Sequence, residues 1–189
     1  MSATSAPFGF RPAYHQMGID RARRYTIASA YSPAIYKGTP VILNTNGTVV
    51  IGTAAADLLG IAVGFEFVDA TGKPTLLNYW PAGQTVLANT TPAAWILDDP
   101  NIVYEVQADG SIAQTAVGDQ ADVSNVGNGS TSTGLSTATL SASLAGVGVQ
   151  AQFRIVGFSQ ALDNAPGDAF TVVQVQLARS QYVANKVAV

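Results

Sequence analysis

Short runs of alternating apolar and polar residues constrain this chain more than any other feature. The clearest run is 101–107, NIVYEVQ, in which Ile102, Tyr104 and Val106 fall on one face of an extended segment. Residues 170–177, FTVVQVQL, alternate in the same way, with two valines and a leucine on one face. Since a period of two is typical of half-buried strands, both runs predict β-structure.

Turn residues between these runs predict how the strands connect. The Asn46-Gly47 pair lies between the apolar segments 40–43 and 48–51, and Asn-Gly is the strongest short hairpin signal. Asp109-Gly110 follows the run at 101–107 and predicts a second hairpin, with 112–117 as its return strand.

The whole chain follows this pattern, with turn signals about every 8–12 residues and no strongly amphipathic helix. The pattern predicts an all-β protein whose body, residues 33–179, is an antiparallel β-sandwich or β-barrel. A flexible Gly/Ser/Thr loop is expected near 124–134, and 180–189 are expected to form a C-terminal tail. A mixed barrel with one short helix within 135–145 is the alternative.

Residues 1–32 predict an extended N-terminal arm, because prolines restrict the chain locally and restrict the residues that precede them. Aromatic and basic side chains along the arm are candidate contacts to a partner: Phe8, Phe10, Arg11, Tyr14, Arg21, Arg23 and Arg24. Two alternatives stay open, an arm that docks onto a neighbouring subunit and an arm folded back on its own domain. If the arm docks onto a partner, deleting residues 1–24 should abolish binding and leave the body folded.

Charge is scarce and unevenly distributed. Only 11% of the residues are charged, against about 25% in a typical soluble domain. Residues 1–40 carry five bases and one acid, whereas residues 41–168 carry eleven acids and two bases. A polar but uncharged surface favours a protein that lies against other proteins, because such groups cost less to desolvate. An extracellular β-domain is the alternative. For the arginines at 21–24, an acidic protein surface is favoured over nucleic acid.

No catalytic motif is present in the sequence. The single histidine is His15, there is no cysteine, and no nucleotide-binding or nucleophile motif occurs, so we expect neither an enzyme nor a cofactor. A cleft that gathered His15, Asp98 and Asp99 would favour an enzyme instead.

Other polar and aromatic groups allow specific alternatives. Asp98-Asp99, and Asp163 with Asp168, offer carboxylates for calcium, but they lack the ligand spacing of a calcium loop and are expected to accept turn hydrogen bonds. We therefore expect no metal. Trp80 and Trp95 suit either a sugar-stacking platform or the core, and the core is favoured. No signal-peptide pattern or run of 18 apolar residues occurs, so no membrane association is expected.

Several segments together carry a family resemblance: PFGFRPAYHQMG, LNYWPAG, AWILDDPNIVYEVQADGSIAQTAVGDQAD, FRIVGF and DNAPGDAFTVVQVQLARSQY. In these segments the chain resembles the decoration, or cement, proteins of tailed-bacteriophage heads. The resemblance implies a β-rich body that binds the major capsid protein, as a homo-oligomer with a trimer favoured over a dimer. It places the protein on the outer capsid surface of the virion, assembled in the host cytoplasm, without direct nucleic-acid contact. A virion module that binds a host glycan or receptor is the alternative function.

Overall fold

The computed structural model describes residues 2–18 and 20–185. Strands dominate it, and in chain order they are β1 (Arg11–His15), β2 (Arg23–Thr26), β3 (Ile35–Tyr36), β4 (Pro40–Leu43), β5 (Val49–Ile51), β6 (Gly60–Val68), β7 (Pro74–Leu77), β8 (Tyr79–Trp80), β9 (Ala93–Leu97), β10 (Ile102–Gln107), β11 (Gln120–Ser124), β12 (Gly129–Ser130), β13 (Leu135–Ser136), β14 (Thr139–Leu144), β15 (Phe153–Phe158) and β16 (Val172–Leu177). The all-β prediction is confirmed.

Two six-stranded antiparallel sheets form the body. The first has the order β1-β10-β16-β15-β11-β14, and the second has the order β2-β9-β6-β4-β5, with β7 also paired to β6. Two small ladders, β3 with β8 and β12 with β13, complete the structure.

The first sheet curls until its last strand meets the end of β10. Ala108, just after β10, forms a parallel bridge with Leu140 of β14. The inward side chains of these strands, among them Tyr104, Phe153 and Val175, share one core. Ile61 and Leu97 of the second sheet also pack into that core, as expected for a sandwich whose first layer is nearly closed.

A second core lies on the opposite face of the second sheet. Trp80 is fully buried there, with its indole nitrogen donating to the Tyr31 carbonyl oxygen at 3.0 Å. Phe65 and Phe67 pack against the indole, with ring centroids at 6.4 and 5.4 Å. The prediction that Trp80 is a core residue is confirmed.

Several strands predicted from local sequence patterns are present. β10 and β16 occupy the predicted runs and pair with each other. β4 and β5 form the predicted hairpin, and Gly47 adopts φ +72°, which glycine tolerates. The side-chain oxygen of Asn44 also accepts the amide hydrogens of Asn46 and Thr48.

The predicted hairpin at Asp109-Gly110 is wrong. Both edges of β10 are already occupied, by β1 and β16, so no edge is left for a return strand. Residues 114–116 form a short 3-10 helix instead. The helix considered for 135–145 is also absent: those residues contain β13 and β14.

The N-terminal segment is not the extended arm expected from the sequence. β1 pairs with β10 and β2 pairs with β9, so the boundary at residue 32 does not separate an arm from a body. Ahead of β1, the Gln107 side chain accepts the Ala6 amide hydrogen at 2.8 Å and donates to the Thr4 carbonyl oxygen at 3.0 Å. The segment is therefore folded back on its own domain, the second of the two alternatives.

Two other predicted segments make specific contacts. In the expected flexible loop, Gly129–Ser130 pairs with β13 as a short ladder. In the expected tail, the Gln181 side chain bonds to both the amide and the carbonyl of Leu43, at 2.7 and 2.9 Å. Residues 186–189 of that tail lie outside the described residues.

Candidate functional site

An apolar groove runs beside the N-terminal segment. Its first part is a cavity of about 380 Å³ lined by Phe8, Phe10, Arg11, Pro12, Lys37, Gly38, Val63 and Leu135. One wall comes from Phe8, Phe10 and the start of β1, the edge strand of the first sheet, and Val63 of β6 in the second sheet borders the same space.

Phe10 belongs to the core and also forms part of the groove wall. It is 2% exposed, and its ring stacks on Phe153 with centroids 4.5 Å apart. Among the predicted contact residues, Phe10 therefore stabilises the protein's own fold. Phe8 is half-buried and more accessible from the groove.

Arg11 contacts both Phe8 and Glu105 at the groove rim, and Ser159 in turn holds Glu105. Its guanidinium lies 4.9 Å above the Phe8 ring, and Nη2 donates to Glu105 Oε2 at 2.6 Å. The other oxygen of Glu105 accepts a hydrogen bond from the Ser159 hydroxyl at 2.8 Å. Burial opposes ionisation of Glu105, but the hydrogen bonds from Arg11 and Ser159 outweigh it and hold the pKa of this carboxyl below its ordinary value.

The groove continues across the outer face of the second sheet. Val63 also lines a second depression of about 330 Å³, together with Gly64, Leu76 and Trp95. Leu76 and Trp95 line a third depression of about 410 Å³, which Glu66 borders. We name the three linked depressions the β6 groove, because β6 contributes to each of them.

The other predicted contacts lie elsewhere. Tyr14 is 48% exposed on β1, and the Arg24 guanidinium donates to the Thr91 carbonyl oxygen at 3.1 Å. Arg21 and Arg23 border a separate cleft with Asp98, Asp99 and Tyr182. The seven predicted residues therefore do not form one surface.

Asp98 organises that cleft. Its carboxylate accepts a hydrogen bond from Arg23 at 2.8 Å and another from the Tyr25 hydroxyl. Burial, reinforced by the hydrogen bond to Asp98, raises the pKa of the Tyr25 hydroxyl well above its ordinary value. In this cleft, Arg23 therefore neutralises the Asp98 carboxylate, and the Tyr25 hydroxyl stays protonated.

His15 lies near the cleft, and its two ring nitrogens face Asp99 and the Met17 amide. Nε2 is 3.2 Å from Asp99 Oδ2, and Nδ1 accepts the Met17 amide hydrogen at 3.0 Å. Asp99 also accepts the Asn101 amide hydrogen, as predicted for a turn carboxylate. The structure brings His15 and Asp99 together, but among the described residues Nε2 makes no hydrogen bond, and the imidazole side chain is only 7% exposed.

Four groove residues were not predicted from the sequence: Lys37, Val63, Leu76 and Leu135. One signal was available on β9, where AAWIL places large apolar side chains on both faces of a strand. Ile96 faces the second core, and Trp95 lines the β6 groove. Such a strand indicates that both faces of its sheet are apolar.

Within residues 2–18 and 20–185, no group of three or more histidine, aspartate or glutamate side chains is arranged to hold a metal ion. Across the same residues, no helix has the length and apolar character needed to cross a membrane. Comparison with family models, curated proteins and solved structures gave no match to the chain.

Proposed function

We propose that the protein is a structural virion protein that binds the outer surface of the assembled phage capsid and stabilises the lattice of the major capsid protein. The observation that carries the proposal is the β6 groove, an uncovered apolar surface on a body with few charges. Exposed apolar patches on such a body typically mark protein–protein contacts.

The stabilisation follows from mass action. A protein that binds the assembled shell and not the dissociated subunits adds its binding free energy to the stability of the shell. We propose that it acts as a homo-oligomer, with a trimer favoured over a dimer, because several copies of a weak contact then act together. Its place is the capsid surface, and it is assembled there in the host cytoplasm.

The placement of the arginines supports a protein partner rather than nucleic acid. Arg11 and Arg23 are paired with Glu105 and Asp98 of the same chain, which reduces their capacity to neutralise phosphates. No enzymatic step, cofactor or membrane contact forms part of the proposal.

Cosedimentation tests the proposal. The purified protein is mixed with expanded capsids from a phage strain that lacks it, and mass photometry of the free protein reports its oligomeric state. We expect saturable binding at a fixed ratio to the major capsid protein. Absence of binding over a broad concentration range would contradict the proposal.

A second candidate function is recognition of a host glycan or receptor. Trp95 favours it, because the half-buried indole borders two open depressions and Glu66 lies beside one of them. Aromatic faces with a nearby polar group suit sugar rings. A glycan array followed by ligand-dependent melting tests this candidate, and loss of both signals in Trp95→Ala supports it.

A further inference from the structure

The outer face of the second sheet is covered at one end and open at the other. Ile61 and Leu97 on this face are 1% and 4% exposed, because the core of the first sheet covers them. Farther along the same face, Leu76 is 72% exposed. An apolar sheet face is normally covered by another layer, so the Leu76 end lacks the layer that the Ile61 end has.

The open end carries three shallow depressions. Neighbouring depressions share lining residues: Val63 borders the first and second, and Leu76 and Trp95 border the second and third. Each has a volume of a few hundred Å³, which accommodates side chains and not a folded domain. Gly64 lines the middle depression, where the lack of a side chain leaves space.

A charged side chain borders each of the two outer depressions. Lys37 borders the first depression and Glu66 borders the third. Among the ion pairs formed within the described residues, none includes either side chain. An occupant with an acid at one end and a base at the other would satisfy both charges.

We propose that the β6 groove binds one extended segment of the major capsid protein. Alternate apolar side chains of that segment would occupy the depressions, with an acidic residue at Lys37 and a basic residue at Glu66. An extended chain presents alternate side chains to one surface, which matches depressions arranged in a row. This inference rests on the proposed capsid function and names the part of the partner that is bound.

Site-specific cross-linking identifies the occupant. Because the chain has no cysteine, Leu76→Cys introduces a single thiol that carries a benzophenone maleimide. Leu162→Cys is the matched control, since Leu162 is likewise an exposed leucine and lies outside the groove. With purified expanded capsids, we expect the Leu76 probe to cross-link one contiguous segment of the major capsid protein and the Leu162 probe to give at least about tenfold less product there.

A side chain that fills part of the β6 groove tests whether binding depends on this groove. A Cβ added at Gly64 meets only the Leu77 carbonyl oxygen, at 3.6 Å, so the position has space for a Cβ, and Gly64→Val places a side chain in the middle depression. Gly157→Val is the matched control, because Gly157 also lies at a β-bulge and its added Cβ meets only Gln174 Oε1 at 3.7 Å. We expect Gly64→Val to weaken capsid binding about tenfold or more and Gly157→Val to leave it unchanged.

Variants at Leu76 and Lys37 test the groove without requiring the fold to accept a side chain at Gly64. Leu76→Glu should weaken binding as Gly64→Val does, whereas Leu162→Glu should not. Lys37→Glu should weaken binding more than Lys73→Glu, a change to a lysine in the turn before β7.

The outcomes separate this inference from the function on which it rests. If the unaltered protein does not cosediment with capsids, the proposed function fails. If it cosediments, but the Leu76 probe labels another copy of this chain or nothing, or the Gly64 and Leu76 variants bind normally, the groove assignment is wrong and the capsid function stands.

Discussion

The Asp109 carboxylate accepts a hydrogen bond of 2.7 Å from the Ala142 amide and joins the segment after β10 to β14, the last strand of the first sheet. The Asp109 amide donates in turn to the Leu140 carbonyl oxygen at 2.9 Å. One residue thus provides both a donor and an acceptor to the free edge of β14. An unpaired strand edge is a template for aggregation, so this contact also protects the edge.

Replacing Asp109 with alanine should weaken the attachment of β14 to the segment after β10. We expect the free energy of unfolding to fall by about 1 kcal/mol, the usual contribution of one hydrogen bond, and the Ala142 amide to exchange faster with solvent. Hydrogen-exchange NMR or mass spectrometry of β14 measures the second effect. Asp119→Ala is the control, and equal exchange of the Ala142 amide in both variants would contradict the role of Asp109.

Gln152 connects the two sheets through a fully buried side chain. Its Nε2 donates to the carbonyl oxygens of Thr53 and Ala56, at 2.7 and 2.9 Å. Its Oε1 accepts the Val123 amide hydrogen at 3.0 Å. Gln152→Leu removes all three hydrogen bonds, and within the described residues only the Thr53 carbonyl keeps a second donor, the Ala56 amide. We therefore expect a loss of roughly 3 kcal/mol or more in unfolding free energy.

Chemical denaturation measures that loss, with Gln114→Leu as the exposed control. Gln152→Glu should be at least as destabilising at neutral pH, because a carboxylate oxygen then faces two carbonyl oxygens. A loss below about 1 kcal/mol in both Gln152 variants would contradict the network.

Glu105 should make stability depend on pH in acid. Its pKa in the folded protein lies below the ordinary value of 4.5, so its contribution is complete above that value and is lost as pH falls through the lowered pKa. We expect the unfolding free energy of the unaltered protein to decline more steeply below about pH 4.5 than that of Glu105→Gln. Parallel denaturation curves of the two proteins from pH 6 to 3 would check this, and identical slopes would be inconsistent with the pairing to Arg11.

Phe10 should matter for stability and Phe8 much less. Truncating a buried phenylalanine to alanine costs about 3–5 kcal/mol, and Phe10 is buried against Phe153. Phe8→Ala is the matched control at a half-buried position. Thermal melting measures both variants, and a similar effect of the two would contradict the placement of Phe10 in the core.

This placement changes what deletion of residues 1–24 should do. The deletion removes Phe10, all of β1 and the first two residues of β2. We therefore expect the truncated protein to lose cooperative unfolding, contrary to the expectation from sequence of a folded body. Point variants in the β6 groove are the sharper tests of binding.

Local features of this fold were predictable, and long-range ones were not. Alternation predicts β10 and β16, and Asn46-Gly47 predicts the β4–β5 hairpin, because both signals lie within a few residues. The partners of β10 were not predictable, since β1 and β16 are distant in sequence, and their pairing excludes the hairpin after Asp109. A proline-rich segment such as 7–12 is compatible with docking either onto its own domain or onto another.

The candidate site depends on that same long-range pairing. Val63, Leu76 and Trp95 meet only because β7 and β9 both pair with β6. No spacing in the sequence indicates this juxtaposition. The strand AAWIL does indicate a sheet with two apolar faces, but the sequence does not show which face stays uncovered.

Binding to expanded capsids that lack the protein tests the central claim most directly. Cosedimentation of a concentration series should show saturation at a fixed ratio to the major capsid protein, together with an increase in the temperature at which the capsids disassemble. A protein that stays in the supernatant at every concentration, with capsid disassembly unchanged, would contradict the account.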